Sequence, residues 1–109
     1  MTTEHTEALP SGYELLEYRL QKVIGEGGFG ITYLAHDSTL DCLVAVKEYL
    51  PIETARRTAS AYTVRPRSSN TEGDFNWGLE QFLEEARRLN RLNHPNIIRV
   101  RRFFKENGT

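Results

Sequence analysis

A chain of 109 residues, 39% apolar and 27% charged, is one small domain at most, and a fold of that size buries only about 60–65% of its unfolded surface. Fourteen basic against fifteen acidic residues leave a formal net charge of −1, without the single-sign field of a general nucleic-acid or membrane-surface binder. The single cysteine, Cys42, excludes an internal disulfide and a zinc site built on several thiolates, and suits a reducing compartment. No apolar run approaches the ~20 residues of a membrane span, and the first ten residues are polar and acidic rather than basic and then apolar. The expectation is a cytoplasmic segment.

In chain order, residues 1–12 have no apolar period and end in Pro10-Ser11-Gly12, which reads as a flexible leader ahead of a domain over residues 13–109. Residues 18–24 alternate as a half-buried strand does, with Tyr18, Leu20 and Lys22 on one side. A glycine cluster closes this strand. Residues 31–35 (ITYLA) predict a second strand, Asp37-Ser38-Thr39 a turn, and residues 42–50 (CLVAVKEYL) a third strand stopped by Pro51. Residues 51–75 show no period and read as a long loop. Leu79, Phe82, Leu83, Ala86, Leu89 and Leu92 then follow the helical spacing over residues 77–93, and Asn93-His94-Pro95 stops the helix. Residues 97–104 (IIRVRRFF) predict a fourth strand and Asn107-Gly108 a hairpin turn. Since only Thr109 follows that turn, the expectation is a piece of a longer polypeptide. The fold class expected is α+β, an antiparallel sheet of four to five strands with one principal helix packed on it.

Four of the eight glycines fall in Gly25-Glu26-Gly27-Gly28-Phe29-Gly30, which fits G-x-G-x-x-G. Plain turns and two nucleotide-binding designs share that pattern. In a dinucleotide-binding unit a helix follows the last glycine, whereas here a β-rich run follows. Gly30-Ile31-Thr32 also lacks the Gly-Lys-Ser/Thr ending of a P-loop. What remains is a hairpin tip whose backbone can approach phosphates, with Phe29 shielding them, or a glycine-rich turn without a ligand.

In Val44-Ala45-Val46-Lys47, alternation places Ala45 and Lys47 on one face, so a small residue that leaves room for a flat base lies beside a cation. In the helix, at about 100° per residue, Glu85 falls between Leu89 and Leu92 in the apolar stripe, while Glu84 points toward Arg88 and Arg91. A carboxylate on a packed face needs a cation, and Lys47 is the candidate. The plain alternative places Glu85 at the stripe's border, reaching water or Arg88.

These residues together resemble the N-terminal, small lobe of the protein kinase family. The glycine loop, Val44-Ala45-Val46-Lys47 and the helix FLEEARRLNRLNHPNII occur in the family's order, and GEGGFGITYLA is most similar to bacterial serine/threonine kinases. The resemblance implies that the glycine loop covers ATP phosphates, that Lys47 binds the α and β phosphates, and that Glu85 orients this lysine. It implies that Ile24 and Ala45 sandwich the adenine. Thr32 stands where the family pattern has valine beneath the base. Mg²⁺ is implied for a full-length enzyme, together with a protein substrate and the chain's own C-terminal lobe. The metal ligands and the catalytic loop belong to that lobe, so no metal site is expected here and the 109 residues alone are expected to be inactive.

Two rivals stand beside this reading. One is a non-catalytic, pseudokinase-like regulatory lobe. The other is an interaction module that self-associates through the faces a large lobe would cover. Arg99, Arg101 and Arg102 read as solvent-facing strand residues rather than a nucleic-acid patch, and His94 as a helix-end residue rather than a metal ligand. Thr58, Ser60, Ser68 and Ser69 lie near arginines that phosphates could pair with, against the plainer reading of a solvated loop.

Overall fold

The computed structural model describes residues 7–58, 61–92 and 100–109. Its elements are β1 (Glu14–Leu15), β2 (Tyr18–Gly27), β3 (Gly30–Asp37), β4 (Cys42–Tyr49), β5 (Ala55–Arg57), β6 (Val64–Pro66) and α1 (Glu72–Arg91). Strands β1 to β4 form one antiparallel sheet in sequence order, and β5 and β6 a second, two-stranded one. The α+β architecture is the expected one.

Period-two patterning gives the main sheet two unlike faces. Along β3, Ile31, Tyr33, Ala35 and Asp37 are buried, while Thr32, Leu34 and His36 between them are only partly covered. Cross-strand partners share a face. Pairing Ile31 with Glu48, Tyr33 with Val46 and Ala35 with Val44 therefore extends the covered face onto β4. Along β2 the expected alternation holds at Tyr18 and Leu20 and then breaks, because register shifts between Leu20 and Lys22 and between Val23 and Gly25 leave Lys22 exposed.

Residues 51–75 are not a loop throughout. Ala55 and Val64, at 1% and 3% exposure, turn β5 and β6 onto the covered face, where they join Leu20, Ile31, Tyr33 and Leu50 in the core. The helix begins at Glu72, earlier than expected, with Glu72 and Asp74 in its first turn, where the helix dipole favours carboxylates. The described part of the leader is also docked. Leu9 is 4% exposed, its N–H donates to the Tyr33 hydroxyl at 3.0 Å, and the Gly12 N–H donates to the Leu20 carbonyl at 2.7 Å. Residues 1–6 lie outside the described residues.

The predicted fourth strand does not form over residues 100–104, which are irregular, and its first residues, 97–99, lie outside the described residues. Side chains tie this segment to the sheet instead of a ladder. Arg102 pairs with Glu17 at 2.5 Å and lies over the rings of Tyr18 and Phe104, which stack 5.9 Å apart. The Asn107-Gly108 turn does form. Both residues have positive φ, 55° and 81°, and the N–H groups of Glu106 and Thr109 each donate to the other's carbonyl at 3.1 Å, as in a type I′ turn.

The helix is held mainly through Tyr49. Its ring lies 5.4 Å from Phe75 and 5.5 Å from Phe82, its hydroxyl donates to the Phe75 carbonyl at 3.1 Å, and a Cβ on Gly78 would overlap that hydroxyl. At the far end the Leu92 N–H closes on the Leu89 carbonyl at 3.2 Å. The expected stop, Asn93-His94-Pro95, lies outside the described residues. Among the described residues no helix is long and apolar enough to cross a membrane.

Candidate functional site

The glycines stand at the tip of the β2–β3 hairpin. Glu26 pairs with Ile31 and Gly27 with Gly30, leaving Gly28 and Phe29 to make the turn. Phe29 is 77% exposed. The tip is anchored from one side, because the Phe29 carbonyl accepts the Leu50 N–H at 2.9 Å and the Gly28 carbonyl accepts the Ile52 N–H at 3.2 Å.

The glycines are needed for two different reasons. A Cβ on Gly30 would overlap the Glu48 carbonyl, so glycine there permits a close approach of β3 to β4. A Cβ on Gly27 or Gly28 would meet nothing within 4 Å. At those two positions the backbone faces open space that a ligand could enter.

Behind the tip the sheet assembles most of the expected residues on its open face. Gly25 pairs with Thr32 and Thr32 with Lys47, a row across three strands, and Leu34 pairs with Ala45 beside it. Ile24 lies at the β2 register shift, half exposed. Glu26, Ala45 and Lys47 are exposed, and among the described residues no hydrogen bond or ion pair engages Lys47.

Glu85 does not join this group. Its carboxylate is 59% exposed and pairs with Arg88 at 3.3 Å rather than with Lys47, while Glu84 pairs with Arg87 at 3.3 Å. The phase of the helix explains this. Its fully buried residues are Phe75 and Leu83, and two residues beyond Leu83 a side chain stands about 160° away around the axis. The expected stripe centres on the line of Phe75, and Glu85 falls at its border between Leu89, only partly covered, and Leu92, which is 45% exposed, so the covered face ends before reaching it.

On the covered face lies a polar cluster that the sequence reading missed. Arg57 and Glu48 form an ion pair at 2.5 Å with side chains only 4% and 8% exposed. The same Glu48 oxygen accepts the Tyr33 hydroxyl at 2.9 Å. The Arg57 guanidinium also donates to the Glu7 carbonyl at 2.7 Å and to the Tyr62 carbonyl at 2.8 Å, and its own N–H donates to the Glu7 carboxylate at 2.9 Å. Burial, reinforced by the Glu48 carboxylate, pushes the Tyr33 phenol well above its ordinary value of 10.0. Burial alone raises Tyr49. Among the described residues no three His, Cys, Asp or Glu side chains are grouped to hold a metal ion.

No family model matches the chain. It is 30% identical over 91 residues to glycogen synthase kinase 3 of Trypanosoma brucei brucei, covering 84% of this chain and 19% of that protein. It is 34% identical over 83 residues to the serine/threonine-protein kinase PksC of Streptomyces coelicolor, covering 76% and 12%. Human mitogen-activated protein kinase kinase kinase 1 is 31% identical over 96 residues, covering 88% and 5%. Among solved structures, the apo form of PpkA-294 matches with a TM-score of 0.90 and 43% identity over 94% of this chain and 36% of that one. Its relatives are protein kinases. The fold is similar to a kinase small lobe along nearly the whole chain, although the chain spans at most about a fifth of the curated relatives it matches. In that lobe the glycine hairpin, the Lys47 strand and the helix take the expected order, with Glu85 turned away.

Proposed function

We propose that this chain is the ATP-binding small lobe of a serine/threonine protein kinase. The observation that carries the reading is the Gly25–Thr32–Lys47 row behind a glycine hairpin whose tip is sterically open. ATP supplies the γ-phosphoryl group, which passes to a serine or threonine hydroxyl and leaves ADP. The backbone at Gly27 and Gly28 covers the phosphates, Phe29 shields them from water, and the Lys47 ammonium holds the α and β phosphates. Ala45 and Ile24 border the adenine, with Thr32 beneath it. Mg²⁺ would be held by residues of a large lobe, where it would neutralise phosphate charge, so the 109 residues alone do not turn over.

A second reading, a non-catalytic regulatory lobe, is favoured by the Glu85–Arg88 pair, which leaves Lys47 without its expected partner. One experiment separates the two. The full-length protein is given labelled ATP, Mg²⁺ and mixed serine and threonine peptides, and Lys47→Met is expected to lower transfer by about 10²–10³-fold. ATP binding without transfer supports the regulatory reading. Absence of ATP binding overturns both, and turnover by the isolated 109 residues that Lys47→Met abolishes overturns their predicted inactivity.

A further inference from the structure

Lys47 and Glu48 are consecutive in β4 and point to opposite faces, so whatever fixes Glu48 also fixes the backbone from which Lys47 projects. Glu48 is fixed twice. Its carboxylate is held by Arg57 and Tyr33, and its carbonyl packs against Gly30 at the base of the glycine hairpin. Arg57 belongs to β5, in the segment whose first residues donate to the hairpin tip through Leu50 and Ile52. The β5–β6 segment thus touches both halves of the nucleotide site from behind, and its guanidinium joins them to the docked residues 7–9.

We propose that Arg57 is a positioning residue for the nucleotide site, setting the separation between Lys47 and the glycine hairpin through Glu48. This rests on the kinase reading above. The chemistry suits the task, because the planar guanidinium directs separate N–H groups at three acceptors, Glu48, Glu7 and Tyr62. A lysine would keep the charge opposite Glu48 and lose that fixed geometry. The arrangement acts on Lys47 only through the backbone, so Arg57 itself touches no nucleotide.

The test uses the full-length protein and an acyl-phosphate analogue of ATP, which acylates an amine lying beside the phosphates. The readout is the acylation rate of Lys47 by peptide mass spectrometry, beside the melting temperature of each variant. Arg57→Lys is expected to slow acylation by about 10- to 100-fold, the scale of an ångström-sized misplacement. Leu9→Ala, which loosens the same layer but keeps the backbone N–H that Tyr33 accepts, is expected to leave the rate within about twofold at an equal loss of melting temperature. Should Arg57→Lys not fold, Glu48→Gln keeps the side-chain shape and is expected to slow acylation in the same direction. An unaltered protein in which Lys47 is not acylated overturns the nucleotide-site reading and the role of Arg57 with it. Acylation in the unaltered protein, unchanged in Arg57→Lys or slowed equally by Leu9→Ala, overturns the role of Arg57 alone.

Discussion

The two faces of the four-stranded sheet are built from alternate residues of the same strands and hold nothing in common. On the covered face Ile31, Tyr33, Ala35 and Glu48 are 0–9% exposed beneath the β5–β6 segment and Leu9. On the open face Ala45 and Lys47 are exposed and Thr32 and Leu34 only partly covered. Burial stabilises one face by about 1.5–3 kcal/mol for each large apolar side chain, whereas the other keeps in water a small side chain and a cation that no described residue pairs with. The side chains that stabilise the sheet and those left in water thus stand within one residue of each other in β4, and substitutions can test how far their contributions to stability differ.

The largest effect should come from Arg57→Ala. It strands the buried Glu48 carboxylate and is expected to cost about 3–5 kcal/mol, measured by denaturant unfolding. Lys47→Ala, ten residues earlier on the open face, should stay within about 0.5 kcal/mol; a comparable loss there would break the contrast between the faces. Next comes Gly30→Ala, which forces β3 from the Glu48 carbonyl at about 1–3 kcal/mol, while Gly28→Ala should cost less than about 1 kcal/mol because its Cβ meets open space.

The contrast has a pH signature as well. The folded state holds the Tyr33 phenol above its ordinary value of 10.0, so the stability it contributes is complete below pH 10 and declines as the pH rises above it, where the unfolded chain ionises first. Tyr33→Phe should flatten that decline in alkaline unfolding curves. The smallest effect is expected at Glu85→Gln, which removes an exposed i,i+3 pair with Arg88 and should shift stability by no more than about 0.5 kcal/mol. A loss of several kcal/mol there would mean that Glu85 is buried after all.

How much of this was legible in the sequence divides along the same line. The open face is short-range information: strict alternation in β3 and β4, glycines at a hairpin tip and an Asn-Gly turn all act within a few residues. The covering layer is not. Ala55 and Val64 are single buried residues in three-residue strands, too short to show a period, and Arg57 looks solvated until Glu48, Tyr62 and the remote Glu7 converge on it. The start of the helix was masked by Gly73 and Gly78, although Thr71-Glu72-Gly73-Asp74 carries a helix-start pattern. The expected start is five residues late and omits Phe75, and the expected stripe runs on to Leu92, which caps the helix and is 45% exposed; counting Leu92 as covered is what drew Glu85 inside.

The anchoring of the hairpin tip by Leu50 and Ile52 also gives the loop a polarity. Those two N–H groups occupy the carbonyls of Gly28 and Phe29, so the acceptors of the turn are committed to its own protein. The amide hydrogens of the turn are what it can offer a visitor. Backbone donors of this kind favour an anion, so on the reading proposed above Leu50 and Ile52 bear on ligand choice from behind the turn.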